Sequence, residues 1–316
     1  MSITTYTATN DGGVPLPEVV LALYSKEIEH NALPVLRFAN FSVKKMELVG
    51  MPGRQITFTK YADLTRGGQL TENVSVTPVA LDASQHSITV YEWGNVVQVT
   101  EFLLRTAFDS TLSETAYLLS RDFALVRDKM NRDALATTTN IVYAGAGAGS
   151  LGTTSAGLVP DDVLDATEVL RTNNAPTFIG DYYIGFIHPH QGTALKKSDD
   201  WRETSNYAGG MQVFEGEIGM YDRVRFIETS LVLNGATSSD NDAYDAELVD
   251  SGAAGADLYR ALICGDSAYG EATGLPVELR HSGVLDHLGR KHGLGWYSIM
   301  GADILNEDYA VAVITA

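Results

Sequence analysis

The residues best equipped for chemistry are His188 and His190, in the run "YYIGFIHPH". Two histidines alternating along a strand point to one face and could share a zinc ion, with Asp199 and Asp200 downstream as oxygen ligands. A metal-dependent hydrolase centred on His188 and His190 is the enzyme such a pair would serve. Pro189 between them suits another reading, a strand that ends in a turn. His281, His287 and His292 form a second group in a glycine-rich segment, without ligand spacing. "DNDAYD", from Asp240, opens like a calcium loop but lacks the glycine and distal glutamate such loops use. The "GAGAG" run does not lead from a strand into a helix, as the dinucleotide pattern requires. Cys264 lies in an apolar strand and reads as core. No serine, histidine and aspartate grouping stands out. No cofactor is expected, and the enzyme reading gains no support.

Size and charge narrow the field further. The 316 residues can bury a substantial core, and 45% are apolar against 20% charged, an ordinary globular composition. Forty acids oppose 22 bases, a net charge of −18, which argues against a surface that grips phosphate. The acidity serves solubility, or a surface that does not adhere to packed nucleic acid. The longest apolar runs fall far short of the roughly 20 residues a spanning helix needs, so no membrane association is expected. The opening residues have no basic patch followed by an apolar block. With one cysteine no intrachain disulfide is possible, and assembly in a reducing cytoplasm is the expectation.

Which elements would position anything? Residues 1–30 are weakly patterned and contain Pro15 and Pro17, as an arm would be. "RQITFTK", Arg54 to Lys60, places Ile56 and Phe58 on one side of a strand. "SITVYEWGNVVQVT", Ser87 to Thr100, repeats the alternation, with Gly94 marking a bulge or bend. The intervening segment, which holds "TRGGQLTENVSVTP", is too long for a tight turn. A two-stranded excursion has little apolar surface of its own, so it should lie on something else. Leu112, Ala116, Leu119, Phe123, Val126, Met130 and Ala134 then recur at helical steps and predict a helix over 111–136. Thr111 and Glu114 have capping-box spacing, and the alternating charges from Glu114 to Asp133 suggest a solvated or partner-facing side. "YAGAGAGSLGTTSAG" is a linker, and "VPDDVLDATEVLRTNNAP" a short helix with Pro160 at its start and Asn173–Asn174 at its end. Strands follow at "YYIGFIHPH", "RVRFIET", "LYRALICGD", "GWYSIMGADI" and "YAVAVITA", and the acidic stretch 235–257 reads as an exposed loop. The sum is an α+β fold.

This order of parts resembles the Hong Kong 97-type major capsid protein of tailed phages. The blocks "ALPVLRFANFSVKKMEL", "GRQITFTKY", "LTRGGQLTEN", "SITVYEWGNVVQVTEFLLRTAFD", "DATEVLRTNNAP", "IHPHQ", "DDW" and "GLGWYSIMGADILNEDY" resemble the coat-protein family typified by coliphage N-four. The resemblance implies an N-terminal arm at 1–49 and an extended β-hairpin loop at 50–100. It implies a spine helix and peripheral domain at 101–157, and an axial domain at 158–290 with its acidic insert at 235–257. Strands at 291–316 would return to the peripheral domain. It also implies hexamers and pentamers of an icosahedral shell around double-stranded DNA, assembled in the host cytoplasm. Portal, scaffolding and decoration proteins would be the further partners. A shell of the same fold that holds enzyme cargo is the nearest alternative, and a carbohydrate- or receptor-binding β module a more distant one. Some relatives crosslink a loop lysine to a neighbour's asparagine; here the tip from Tyr61 to Ser84 holds Arg66 and no lysine, so noncovalent clasping is expected.

Charge gives that clasp a direction. From Lys44 to Arg66 five bases meet two acids, a net of +3, and from Gln69 to Glu114 six acids meet one base, a net of −5. The basic side of one hairpin would lie over an acidic part of its neighbour, or these charges would pair within one chain. The candidate intersubunit contacts are Arg54, Ile56, Phe58, Lys60, Arg66, Glu72, Val90, Glu92, Glu101 and Asp109. Backbone pairing and the apolar Ile56, Phe58 and Val90 would supply most of the affinity, since exposed ion pairs are worth about 0–1 kcal/mol each.

Overall fold

A computed structural model describes residues 36–47, 49, 53–61, 64, 66–69, 72, 75–76, 78–102, 111–145, 149–198, 217–235, 248, 252, 256–282 and 290–316. Three sheets and three α-helices make up the described fold. The elements in chain order are β1 (Val43–Lys45), β2 (Gln55–Tyr61), β3 (Ala83–Thr89), β4 (Tyr91–Thr100), α1 (Thr111–Ala136) and β5 (Ile141–Tyr143). After them come α2 (Pro160–Thr172), β6 (Tyr183–Ile187), α3 (Pro189–Lys197), β7 (Glu217–Tyr221) and β8 (Val224–Glu228). The last four are β9 (Tyr259–Cys264), β10 (Tyr269–Ser282), β11 (Lys291–Ile304) and β12 (Ala310–Thr315).

The larger sheet runs β5-β12-β9-β6-β8-β7 and is buried on both faces at its centre. Successive side chains of a strand point to opposite faces, and here both faces meet a core. Ala310, Ala312 and Ile314 of β12 enter one core with Leu262 and Cys264 of β9. Val311 and Val313 enter the other, with Ala261 and Ile263. The second core is closed by Val163, Ala166 and Leu170 of α2 and Leu195 of α3. Strands buried on both faces read as continuous apolar runs, which is why "YIGFI", "YRALIC" and "AVAVIT" were legible. β10 and β11 pair antiparallel as 14-residue strands, with register shifts around Pro276, a residue unable to donate to the ladder. They form the middle of the second sheet, β1-β10-β11-β4.

α1 has the bounds its periodicity predicts, and Ala116, Leu119, Phe123 and Met130 pack against Leu279, Leu294, Trp296 and Met300 of that sheet. Leu135 and Ala136, at its far end, belong to the six-stranded sheet's core. The helix therefore joins two cores. Only part of its charged side is solvated: Glu114 and Arg121 are exposed, whereas Asp128 and Arg132 are buried and Arg127 donates to Glu271 at 2.7 Å. The reason is residues 36–45, which cross this side of the helix and place β1 parallel to β10.

Three further expectations change. "SITVYEWGNVVQVT" is two strands in different sheets, hinged at Val90, whose N–H donates to the Arg54 carbonyl at 3.0 Å. Gly94 makes no bulge; the β4–β11 register is continuous there, and a Cβ would stand 2.7 Å from the Trp296 carbonyl oxygen. Most of the acidic stretch lies outside the described residues, but Leu248 is in the core, so the segment does not stay at the surface throughout.

Candidate assembly interface

β2 and β3 pair in antiparallel register from Gln55↔Thr89 to Tyr61↔Ala83. The alternation puts Ile56 and its cross-strand partner Ile88 toward the body, where they pack with Val90 and Ala272. Phe58, Ile299 and Leu305 border this cluster. Ile56 is 3% exposed and Val90 5%. Both are thus packed within their own chain at the base of the hairpin, with Phe58 half-buried beside them. Lys45 closes that seat, donating to the Thr57 carbonyl at 3.0 Å with its Nζ 4.5 Å from the Phe58 ring centroid. His86 of β3 lies 3.2 Å from the Asp303 carboxylate of β11.

The polar candidates divide. Arg54 lies over the Tyr91 ring at 5.2 Å and Lys60 over Tyr309 at 5.6 Å, both exposed contacts within the chain. Arg66, Glu72 and Glu92 are exposed. Glu101 donates its backbone N–H to the Arg290 carbonyl at 2.8 Å, and Asp109 lies outside the described residues.

The structure adds residues that charge counting missed. Tyr61, Leu64, Val76, Val79 and Leu81 are large, apolar and exposed beyond the seated base of the hairpin. A second exposed set is Val96 and Val97 of β4, Phe102 just after it, and Tyr117 and Leu118 of α1. Among the described residues β4 is an edge strand of its sheet, paired with β11. Their signal in the sequence is modest: apolar residues inside an otherwise polar loop, and apolar residues off a helix's own stripe.

The residues that suggested chemistry have structural work. His188 caps α3, its Nδ1 accepting from the His190 N–H at 3.2 Å while its own N–H donates to Gln191 Oε1 at 3.0 Å. Both imidazoles lie against the Tyr259 ring, at 4.9 and 4.7 Å. Burial, and then the neighbouring His190, lower the His188 pKa. Asp199, Asp200, His287 and Asp240 to Asp245 lie outside the described residues. His281 and His292 sit with ring centroids 5.7 Å apart on adjacent strands, and burial followed by His292 lowers the His281 pKa. Cys264 is fully buried, and burial pushes its thiol pKa upward, which keeps it an unreactive thiol. Among the described residues no three His, Cys, Asp or Glu side chains gather as a metal group, and no helix is long and apolar enough to cross a membrane.

Comparison with known proteins bears on what the two exposed sets are for. Residues 100–308, about two thirds of the chain, match the family model described as phage capsid protein. No curated protein sequence matches. Among solved structures, the cyanophage Pam1 capsid asymmetric unit is similar at a TM-score of 0.69 and 16% identity, covering 90% of this chain and 92% of that one. The capsid of Ralstonia phage GP4 is similar at 0.65 and 14%, covering 89% and 90%. The capsid of cyanophage P-SCSP1u is similar at 0.65 and 14%, covering 89% and 88%. At such identities the likeness is one of fold, the Hong Kong 97-type fold. The chain belongs to the phage capsid protein family, whose members build shells and are not enzymes.

Proposed function

We propose that this major capsid protein, of the type represented by coliphage N-four, closes into hexamers and pentamers of an icosahedral shell around double-stranded DNA. The N-four assignment is supported by the sequence blocks from "ALPVLRFANFSVKKMEL" to "GLGWYSIMGADILNEDY". In this reading residues 1–49 are the arm and 50–100 the extended loop. Residues 101–157 and the returning 291–316 make the peripheral domain, and 158–290 the axial domain. The hairpin of each copy lies over β4 and the first half of α1 of the next.

The observation that carries this is the placement of exposed apolar side chains. Most of the large ones lie on the hairpin beyond its seat or on the β4–α1 surface. Among the described residues both sets stay exposed, and a head-to-tail contact between two different surfaces is what generates rings. Charge adds only local pairs: Arg66 travels with the hairpin beside Asp63, Glu72 and Asp82, while Glu92, Glu101 and Glu114 flank the receiving surface. Pairs at such a rim set register and contribute little affinity. Portal, scaffolding and decoration proteins would be the shell's further partners. A net charge of −18 leaves packaged DNA free to slide if the acids line the lumen.

The test replaces the hairpin's apolar set without touching its seat. Leu64→Ser with Leu81→Ser should leave the monomer's melting temperature within about 2 °C, because exposed substitutions usually change stability by less than about 0.5 kcal/mol. Shell yield, read by light scattering and negative-stain microscopy, should collapse. Normal shells from the double variant rule this interface out.

A further inference from the structure

Residues 36–45 are bound to the body of the chain through a chain of buried contacts that the shell-building role does not explain. Leu36 and Ala39 enter the core between α1 and its sheet, while Phe38 enters the core of the six-stranded sheet. The Phe38 ring stacks on Phe186 with centroids 4.1 Å apart, and Phe41 meets Phe186 edge-on at 5.9 Å. Tyr269 donates its hydroxyl to the Phe38 carbonyl. Beyond that point Ser42 Oγ lies 3.5 Å from Glu271 Oε2. The segment thus spans both cores, and residues 1–35 precede it.

At the centre of the clasp is one carboxyl group. Asp128 of α1 is 0% exposed, and its Oδ1 accepts two backbone N–H groups, from Arg37 and Ala39, each at 3.0 Å. Its Oδ2 is buried with no hydrogen-bond partner among the described residues. A buried carboxylate oxygen without a partner carries a full desolvation penalty when charged. A proton on Oδ2 removes that charge and leaves both bonds to Oδ1 intact.

We propose that residues 36–45 are a proton-controlled strap, held shut on the spine helix when Asp128 is protonated and more readily released when it is ionised. The charged and titratable groups around the clasp do not reverse this preference. Arg37 comes from the strap itself, and Lys44 stands near Arg127 and Glu271. On α1 and β10, Arg127 and Glu271 satisfy each other at 2.7 Å, and Asn131 donates to Glu271 Oε2 at 3.3 Å. Tyr269 stays protonated, since burial first and then Cys264, Asp128 and Glu271 raise its pKa. Burial outweighs the backbone bonds and Arg37, and raises the Asp128 pKa from 3.8 to about 6. In the released strap Asp128 meets water and titrates at its ordinary value, so proton loss favours release.

Hydrogen–deuterium exchange on the full chain, both unassembled and in shells, reads the strap directly. From 3.8 open and about 6 closed, the opening constant for the Arg37 and Ala39 amides should rise about tenfold between about pH 5 and about pH 7.5, after correction for intrinsic exchange rates. Asp128→Asn keeps the Oδ1 acceptor and cannot ionise, so its opening constant should be flat across that range. Tyr269→Phe, which removes the hydroxyl bond to Phe38 without a charge change, should open more at both pH values and keep the tenfold ratio. Equal opening at the two pH values in the wild type or in Tyr269→Phe overturns the strap, as does the same slope in Asp128→Asn. A matching tenfold change in the amides of β12 overturns it too, because that would be whole-chain unfolding. None of these outcomes depends on how the hairpin meets a neighbour.

Discussion

Asp122 and Asp128 lie on the same helix within the pattern of alternating charge, yet each accepts hydrogen bonds from a different part of the chain. Asp122 Oδ2 receives Trp296 Nε1 at 2.8 Å and Asn95 Nδ2 at 3.0 Å, which ties β4 and β11 to α1. Asp128 receives the strap. The sign of its pH effect follows from the raised pKa: between 3.8 and about 6 the folded chain holds a proton the unfolded chain has lost. Stability should therefore fall as pH rises through that window, by at most about 3 kcal/mol for a shift of about two units. Asp128→Asn should flatten the slope in urea titrations of the unassembled chain. Ile88, fully buried under the hairpin, makes a simpler case. Ile88→Ala should cost about 2–5 kcal/mol of monomer stability, read by urea midpoint, because the cavity adds to the lost transfer energy.

Elements differ in how openly the sequence announces them. α1 was readable to the residue because its stripe persists over seven turns' worth of sequence. The six-stranded sheet's inner strands were readable for the opposite reason, having no polar face at all. β10 was not, since Gly274 and Pro276 interrupt its alternation, and its neighbour β1 comes from a distant part of the chain. The strap escaped notice because "VLRFANFS" has neither period, and its partners lie 89 and 231 residues away in sequence. Of the candidate interface, the sequence offers Ile56 as an available apolar contact, whereas the fold packs it against Ile88 and Ala272 of its own chain. The seat of the hairpin can be tested through Gly301. A Cβ there would lie 2.3 Å from the Thr89 carbonyl oxygen and 3.2 Å from Val90 Cα, both backbone atoms that cannot swing aside. Gly301→Ala should destabilise by about 1–3 kcal/mol and raise protease sensitivity in the hairpin before the rest of the chain.

At the level of the whole molecule, the proposed interface assigns folding and assembly to separate residues. Ile56, Ile88 and Val90 hold the hairpin to its own body. Tyr61, Leu64, Val76, Val79 and Leu81 stay exposed in the single chain. Reversing Arg54, Lys60 and Arg66 to Glu should therefore weaken shells far more than the monomer. The monomer loses two exposed cation–π contacts, worth about 0.5–1 kcal/mol each, and calorimetry should show only a small drop in melting temperature. Shell yield should fall, most at low ionic strength, where charges at a rim act over the longest range.

The position of β12 bears on timing. In the larger sheet β5 reaches β9 only through β12, which pairs with Ile141–Tyr143 on one side and Tyr259–Cys264 on the other. A ribosome must synthesise through Thr315 before those two edges can be joined. Until then the nascent polypeptide keeps an open slot one strand in from the edge of its largest layer, so a chain cut short before Ala310 should leave β5 and β9 unjoined.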